Sequence, residues 1–139
     1  MFILKKVYCR IFQKVFRIAL PLLPYREPEI LESIELIPET VKKNGCKKPI
    51  IVTDKGIVNL GLIDSLVESL NKAQVPFTIY DKTVPNPTTD NVAEAYDLYK
   101  KENCDCLIAF GGGSSMDCAK ALGVQIVYPK KTLGQLKGI

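Results

Sequence analysis

Apolar and polar positions follow two periods along this chain, one helical and one strand-like, and the two alternate. In the first twenty residues Lys6, Arg10, Gln13, Lys14 and Arg17 recur at helical spacing. Ile3, Leu4, Val7, Ile11, Val15 and Ile18 take the opposite side. This predicts an amphipathic basic helix ended by Pro21 and Pro24. Charges interrupt it too often for a membrane span, and no small-residue cleavage site follows as in a secretory signal. Its apolar side is expected to pack on this protein or on a second copy; a membrane-surface anchor is the disfavoured alternative. Pro24 to Pro28 reads as a joint, which separates an N-terminal segment, 1–28, from the remainder, 29–139.

Beyond the joint, Ile30 to Lys43 has helical periodicity. Pro38 either breaks that helix or starts a second one in its first turn, and Gly45 is its stop. Pro49 to Thr53 is a β-branched run, expected as a buried strand. Helices are predicted over Leu62–Ala73, Thr89–Glu102 and Ser114 to about Leu122. Further strands are predicted over Phe77–Tyr80 and Cys106–Phe110. Val124 to Val127 fits either a fourth strand or an extension of the last helix. Alternating strands and helices imply βαβ units. The expected fold class is therefore α/β, a Rossmann-like parallel sheet with helices on both faces. Ligands of such sheets bind beyond the carboxyl ends of the strands.

Composition narrows the functions. Residues 1–26 carry six cations and no acid, giving +6, whereas the other 13 basic and 15 acidic residues leave −2. The basic balance thus belongs to the N-terminal segment and argues against nucleic acid as a partner of the domain. Five cysteines at irregular spacing, none in a Cys-x-x-Cys pair, suggest free thiols in a reducing cytoplasm. The chain has no histidine, which removes any Ser-His-Asp set and the commonest metal ligand. No catalytic residue and no metal ligand is assigned within the chain.

The most informative stretch is Leu107 to Lys120, where a strand-like run meets Gly111-Gly112-Gly113 and then Ser114. Bare backbone leading into a helix N-terminus forms a cradle for phosphate. It is not the G-x-G-x-x-G fingerprint, because Met116 stands at the third glycine. Gly112, Gly113 and Ser114 are expected to offer amides to a pyrophosphate. Ser114 is also a candidate N-cap, with Asp117 completing a capping-box-like pattern. Lys120 either reaches a phosphate or is solvated. Asp54, at the end of the first strand, suits an acceptor for the adenosine ribose hydroxyls and would favour NAD over NADP; the plain alternative is a helix cap. Asn86, between Pro85 and Pro87, either contacts the adenine side of a cofactor or makes an Asx-turn. These loops should gather at one rim of the sheet.

In order and spacing, Ile51-Val52-Thr53-Asp54-Lys55-Gly56, Val84-Pro85-Asn86-Pro87-Thr88, Cys104-Asp105 and Gly111 to Lys120 resemble the iron-containing (group III) alcohol dehydrogenase family. The resemblance runs from about Ile30 to the end. It implies an N-terminal nucleotide-binding domain followed by a helical domain, whose aspartate and three histidines hold Fe²⁺ or another divalent metal. It further implies hydride transfer between NAD(H) and a small alcohol or its aldehyde or ketone. By position, Asp54, Asn86 and Gly112 to Ser114 would contact the cofactor, and Asp117 would lie near its nicotinamide side. The sequence stops at Ile139, short of the family's helical domain. The expectation is therefore a truncated nucleotide-binding domain with a sheet incomplete at its C-terminus and the metal-binding domain absent. It should be inactive alone and prone to form a homo-oligomer. The alternative is a non-catalytic nucleotide-binding or dimerisation module.

Overall fold

The computed structural model describes residues 2–19 and 27–136. The chain divides into two compact units, Met1–Ile30 and Leu31–Ile139.

The first unit holds helix α1, Phe2–Ala19. Tyr8, Phe12 and Phe16 stack along it, with ring centroids 6.4 and 6.0 Å apart. Among the described residues no helix is long and apolar enough to cross a membrane. The expected stops at Pro21 and Pro24 lie outside the described residues.

The second unit is an α/β layer structure. Its elements are a 3-10 turn (Ile34–Leu36), α2 (Ile37–Lys43), β1 (Pro49–Val52), α3 (Lys55–Asn59), α4 (Asp64–Lys72), β2 (Thr78–Tyr80), α5 (Thr89–Lys101), β3 (Cys106–Ala109), α6 (Gly113–Val127) and a last 3-10 turn (Leu133–Leu136). The three strands are parallel in the order β2-β1-β3, with Val52 level with Tyr80 and Ala109.

β1 is central and wholly buried, and its side chains alternate between two cores. Ile50 and Val52 join Tyr80, Val92, Ala95, Cys118 and Leu122 under α5 and α6. Ile51 joins Val41, Ile63, Leu66 and Leu70 under α2 and α4. Each buried aliphatic side chain is worth about 1.5–3 kcal/mol of transfer free energy, so the sheet is held from both sides.

The three strands stand where the sequence predicts them, each trimmed by a residue at one end. The open alternatives resolve by local chemistry. Pro38 sits in the first turn of α2, preceded by the short 3-10 turn. Val124 to Val127 extend α6. One element was not anticipated: α3 begins directly after β1, because Asp54 caps it by accepting from the amide of Ile57 at 3.1 Å. Gly61, at φ +66, then turns the chain into α4.

Candidate cofactor-binding site

The carboxyl ends of the strands open onto a cleft of about 670 Å³. Asp54 and Gly56 form one wall, Thr83 to Pro85 after β2 a second, Asn91 and Glu94 of α5 a third, and Ser114 of α6 closes it. The rim rule thus brings Asp54 and Ser114 to one cavity. Asn86 adjoins Pro85 in the same loop, exposed and in the left-handed region at φ 55, a conformation that asparagine tolerates better than most residues.

The glycine turn separates into two kinds of position. Gly111 has φ +135, and a Cβ there would meet Ser115 Oγ at 2.9 Å and Ile57 Cγ1 at 3.5 Å. Only glycine satisfies both the dihedral and the space. Gly112 and Gly113 are different: a Cβ on either would meet nothing within 4 Å. Nothing in the folded chain demands glycine at these two positions. The open space lies over the first turn of α6, whose leading amides have no intrahelical acceptor and carry the positive end of the helix dipole.

Capping of α6 departs from expectation. The N-cap is Gly112, extended at φ −84 and ψ −168, with no side-chain cap bond. The bare glycines let the helix start earlier than a serine cap would require. Ser114 therefore sits inside the first turn and Asp117 in the second, so the expected capping pair does not form. Asp117 is exposed and pairs with Lys120 one turn on, at 3.7 Å. Neither lines the cleft.

Asp54 uses Oδ1 for its cap, and no bond to Oδ2 is seen among the described residues. The cap, the plain alternative for this position, is the role that the structure shows. Four contributors escaped sequence reasoning. Lys82 and Glu94 pair across the cleft wall. That pairing holds the Lys82 ammonium above its ordinary range and the Glu94 carboxyl below its own. Tyr80 hydroxyl donates to Glu94 at 3.3 Å and accepts from Asn91 at 3.4 Å; burial chiefly pushes its pKa up to about 12. Lys82 lies two residues past a strand end, so the rim rule alone points to it. Asn91 also completes the capping box of α5 with Thr88, and that double duty has no sequence signature.

The geometry fits a dinucleotide. Unfilled space covers two dispensable glycines at a helix N-terminus, beside a cleft that carries a carboxylate. It does not fit the family's metal centre, because the cleft offers no imidazole.

Comparison with known proteins agrees with this reading of the fold. Residues 31–137 match the family model described as iron-containing alcohol dehydrogenase. The choline dehydrogenase of Bacillus subtilis (strain 168) is 45% identical over 95 residues, 68% of this chain and 24% of that protein. Among solved structures, an alcohol dehydrogenase from Oenococcus oeni superposes with TM-score 0.70 at 39% identity, covering 76% of this chain and 28% of its own. NADH-dependent butanol dehydrogenase A from Thermotoga maritima gives TM-score 0.69 at 28% identity, covering 80% and 29%. The chain spans about a quarter of the length of the curated relatives it matches. The matched region holds both strand-end loops and the glycine turn, and on that ground the chain belongs to the iron-containing alcohol dehydrogenase family.

Proposed function

We propose that residues 29–139 are the nucleotide-binding portion of a metal-dependent alcohol dehydrogenase, one that interconverts a small alcohol and its aldehyde or ketone with NAD(H). The observation that carries this is the empty space over Gly112 and Gly113 at the head of α6. Three residues in a row without side chains cost chain entropy, and the fold itself asks for only one of them. A diphosphate lying on the leading amides accounts for the other two.

In this reading Gly112, Gly113 and Ser114 donate amide hydrogens to the pyrophosphate. Asp54 accepts from the adenosine ribose while still capping α3. Its charge repels a 2′-phosphate and so favours NAD over NADP. Asn86 sits toward the adenine side and Asp117 toward the nicotinamide. Bound NAD supplies the hydride acceptor; the chain's own residues bind and orient it. The divalent metal that the family's description implies, Fe²⁺ in this reading, would act as a Lewis acid toward the alcohol oxygen; with no imidazole in the chain, none of its residues is assigned to hold that metal. This chain alone is accordingly expected to turn over nothing. The NADH dependence of the Thermotoga maritima butanol dehydrogenase supports the cofactor choice. We further propose a cytoplasmic location, since five free thiols suit a reducing compartment, and self-association into a homo-oligomer.

Titration calorimetry with NAD and NADP tests the assignment. NAD should bind more tightly, and Asp54→Asn should erase most of that preference without loosening α3, because asparagine caps as well as aspartate. An equal preference in the parent chain, or an unchanged one in the variant, overturns the role given to Asp54.

A further inference from the structure

At the opposite end of the sheet three ligand-type side chains converge that the cofactor site does not use. The sulfurs of Cys46 and Cys106 and a carboxylate oxygen of Asp105 all lie within 4.8 Å of one another. Cys46 precedes β1, and Asp105-Cys106 open β3. Pro49 is level with Cys106 across the strand pair, so the trio sits at the amino rim, away from the glycine turn.

The backbone on both sides is fixed. Cys46 N–H donates to Val41 carbonyl at 3.0 Å, and Gly45, at φ +75, closes the end of α2 by donating to Lys42 carbonyl at 2.9 Å. Asp105 accepts from the amides of Lys47 and Lys48 at 2.7 and 2.9 Å. Its own amide returns a bond to Lys48 carbonyl at 3.0 Å. Segments 46–48 and 105–106 are thus clasped before any ligand arrives, and the clasping bonds orient the carboxylate as outer-shell bonds do in metal sites. The nearby Lys48 ammonium is turned away, held by Glu102 at 3.1 Å.

We propose that Cys46, Asp105 and Cys106 form a binding site for a thiophilic divalent cation of the zinc type, separate from the family's catalytic metal. Two sulfurs and one carboxylate are a donor set for such an ion, with the fourth tetrahedral position open to water. Tetrahedral metal–sulfur bonds of about 2.3 Å put two sulfurs about 3.8 Å apart, so side-chain rotation closes the trio from its present spacing. Cys46 and Cys106 are half-buried and Asp105 is exposed, which leaves a path from solvent. On binding, each thiol gives its proton to solvent and its sulfur lone pair to the cation; nothing is oxidised or reduced.

The 139-residue chain, reduced with a phosphine and stripped with a chelator, is titrated with Co²⁺ and then Zn²⁺. One equivalent of Co²⁺ should give a thiolate charge-transfer band with tetrahedral ligand-field absorption, and one equivalent of Zn²⁺ should bleach it. Cys46→Ser and Cys106→Ser should each remove the charge-transfer band or lower affinity at least 100-fold, while Cys9→Ser leaves both unchanged. Circular dichroism checks that each variant is folded. A cobalt spectrum without thiolate character overturns the site. So does a band that survives both substitutions.

Discussion

The two ends of this short sheet are built on opposite plans. At the amino rim each helix hands the chain to a strand through the same device. Gly45, Gln74 and Asn103 all take the left-handed region, at φ 75, 55 and 53. Each donates to the carbonyl three residues back: Lys42 at 2.9 Å, Asn71 at 3.0 Å and Lys100 at 3.1 Å. The next amide in each case, of Cys46, Val75 or Cys104, reaches five residues back, to Val41, Leu70 or Tyr99. These are Schellman closures, which satisfy carbonyls that a helix end would otherwise leave bare. At the carboxyl rim the groups stay open: the leading amides of α6, one oxygen of Asp54, and the space over two glycines. Satisfied backbone makes scaffold, and unsatisfied backbone beside a cavity makes a place for a ligand.

That contrast can be attacked from either end. The largest expected effect is on binding. Gly113→Val adds a side chain where nothing in the folded chain stands, so the melting temperature should move by no more than about 2 °C, while NAD affinity falls at least 100-fold, about 2.7 kcal/mol. If calorimetry finds NAD still bound, the open space has another purpose. Next in size is Asp105→Asn, which removes one charged acceptor from the amides of Lys47 and Lys48 and should cost about 2 kcal/mol in urea denaturation. Burial works against the Asp105 charge, but those two amides outweigh it and hold the carboxyl below its usual range. A depressed carboxyl contributes stability above its unfolded value near 3.9 and loses it as pH falls through the folded one. The parent chain should therefore lose its advantage over Asp105→Asn below about pH 4; an acid-independent difference would contradict the clasp. The smallest effect has the opposite sign. Gln74→Gly should stabilise by about 0.5–1 kcal/mol, since glycine takes the left-handed turn without the penalty of a Cβ. Thermal unfolding would show it as a rise of a few degrees.

The division between rims also marks what was legible in the sequence. The β-branched run Pro49 to Thr53 placed β1, because a strand buried on both faces must be apolar throughout, and short apolar runs between helical segments placed β2 and β3. Gly45 was readable as a stop because glycine announces a left-handed turn, whereas Gln74 and Asn103 do the same work without that signal. α3 has little sequence signal beyond its cap Asp54, because its five residues carry too little periodicity to declare a helix. Ser114 looked like a cap because serine so often is one; the glycine before it took the position. The clasp of Asp105 on Lys47 and Lys48 joins segments more than fifty residues apart, and no local pattern encodes a bond of that reach.

β1 and β3 start level at Pro49 and Cys106, and β2 starts one residue later, with Thr78 beside Ile50; all three finish level, with Val52 beside Tyr80 and Ala109. β1 therefore works as a push rod. If it advanced by one residue, Asp54 would travel about 3.3 Å past the glycine turn, and each of its side chains would turn to the wrong core. The alignment of one rim is metered by bonds made at the other, some four residues away.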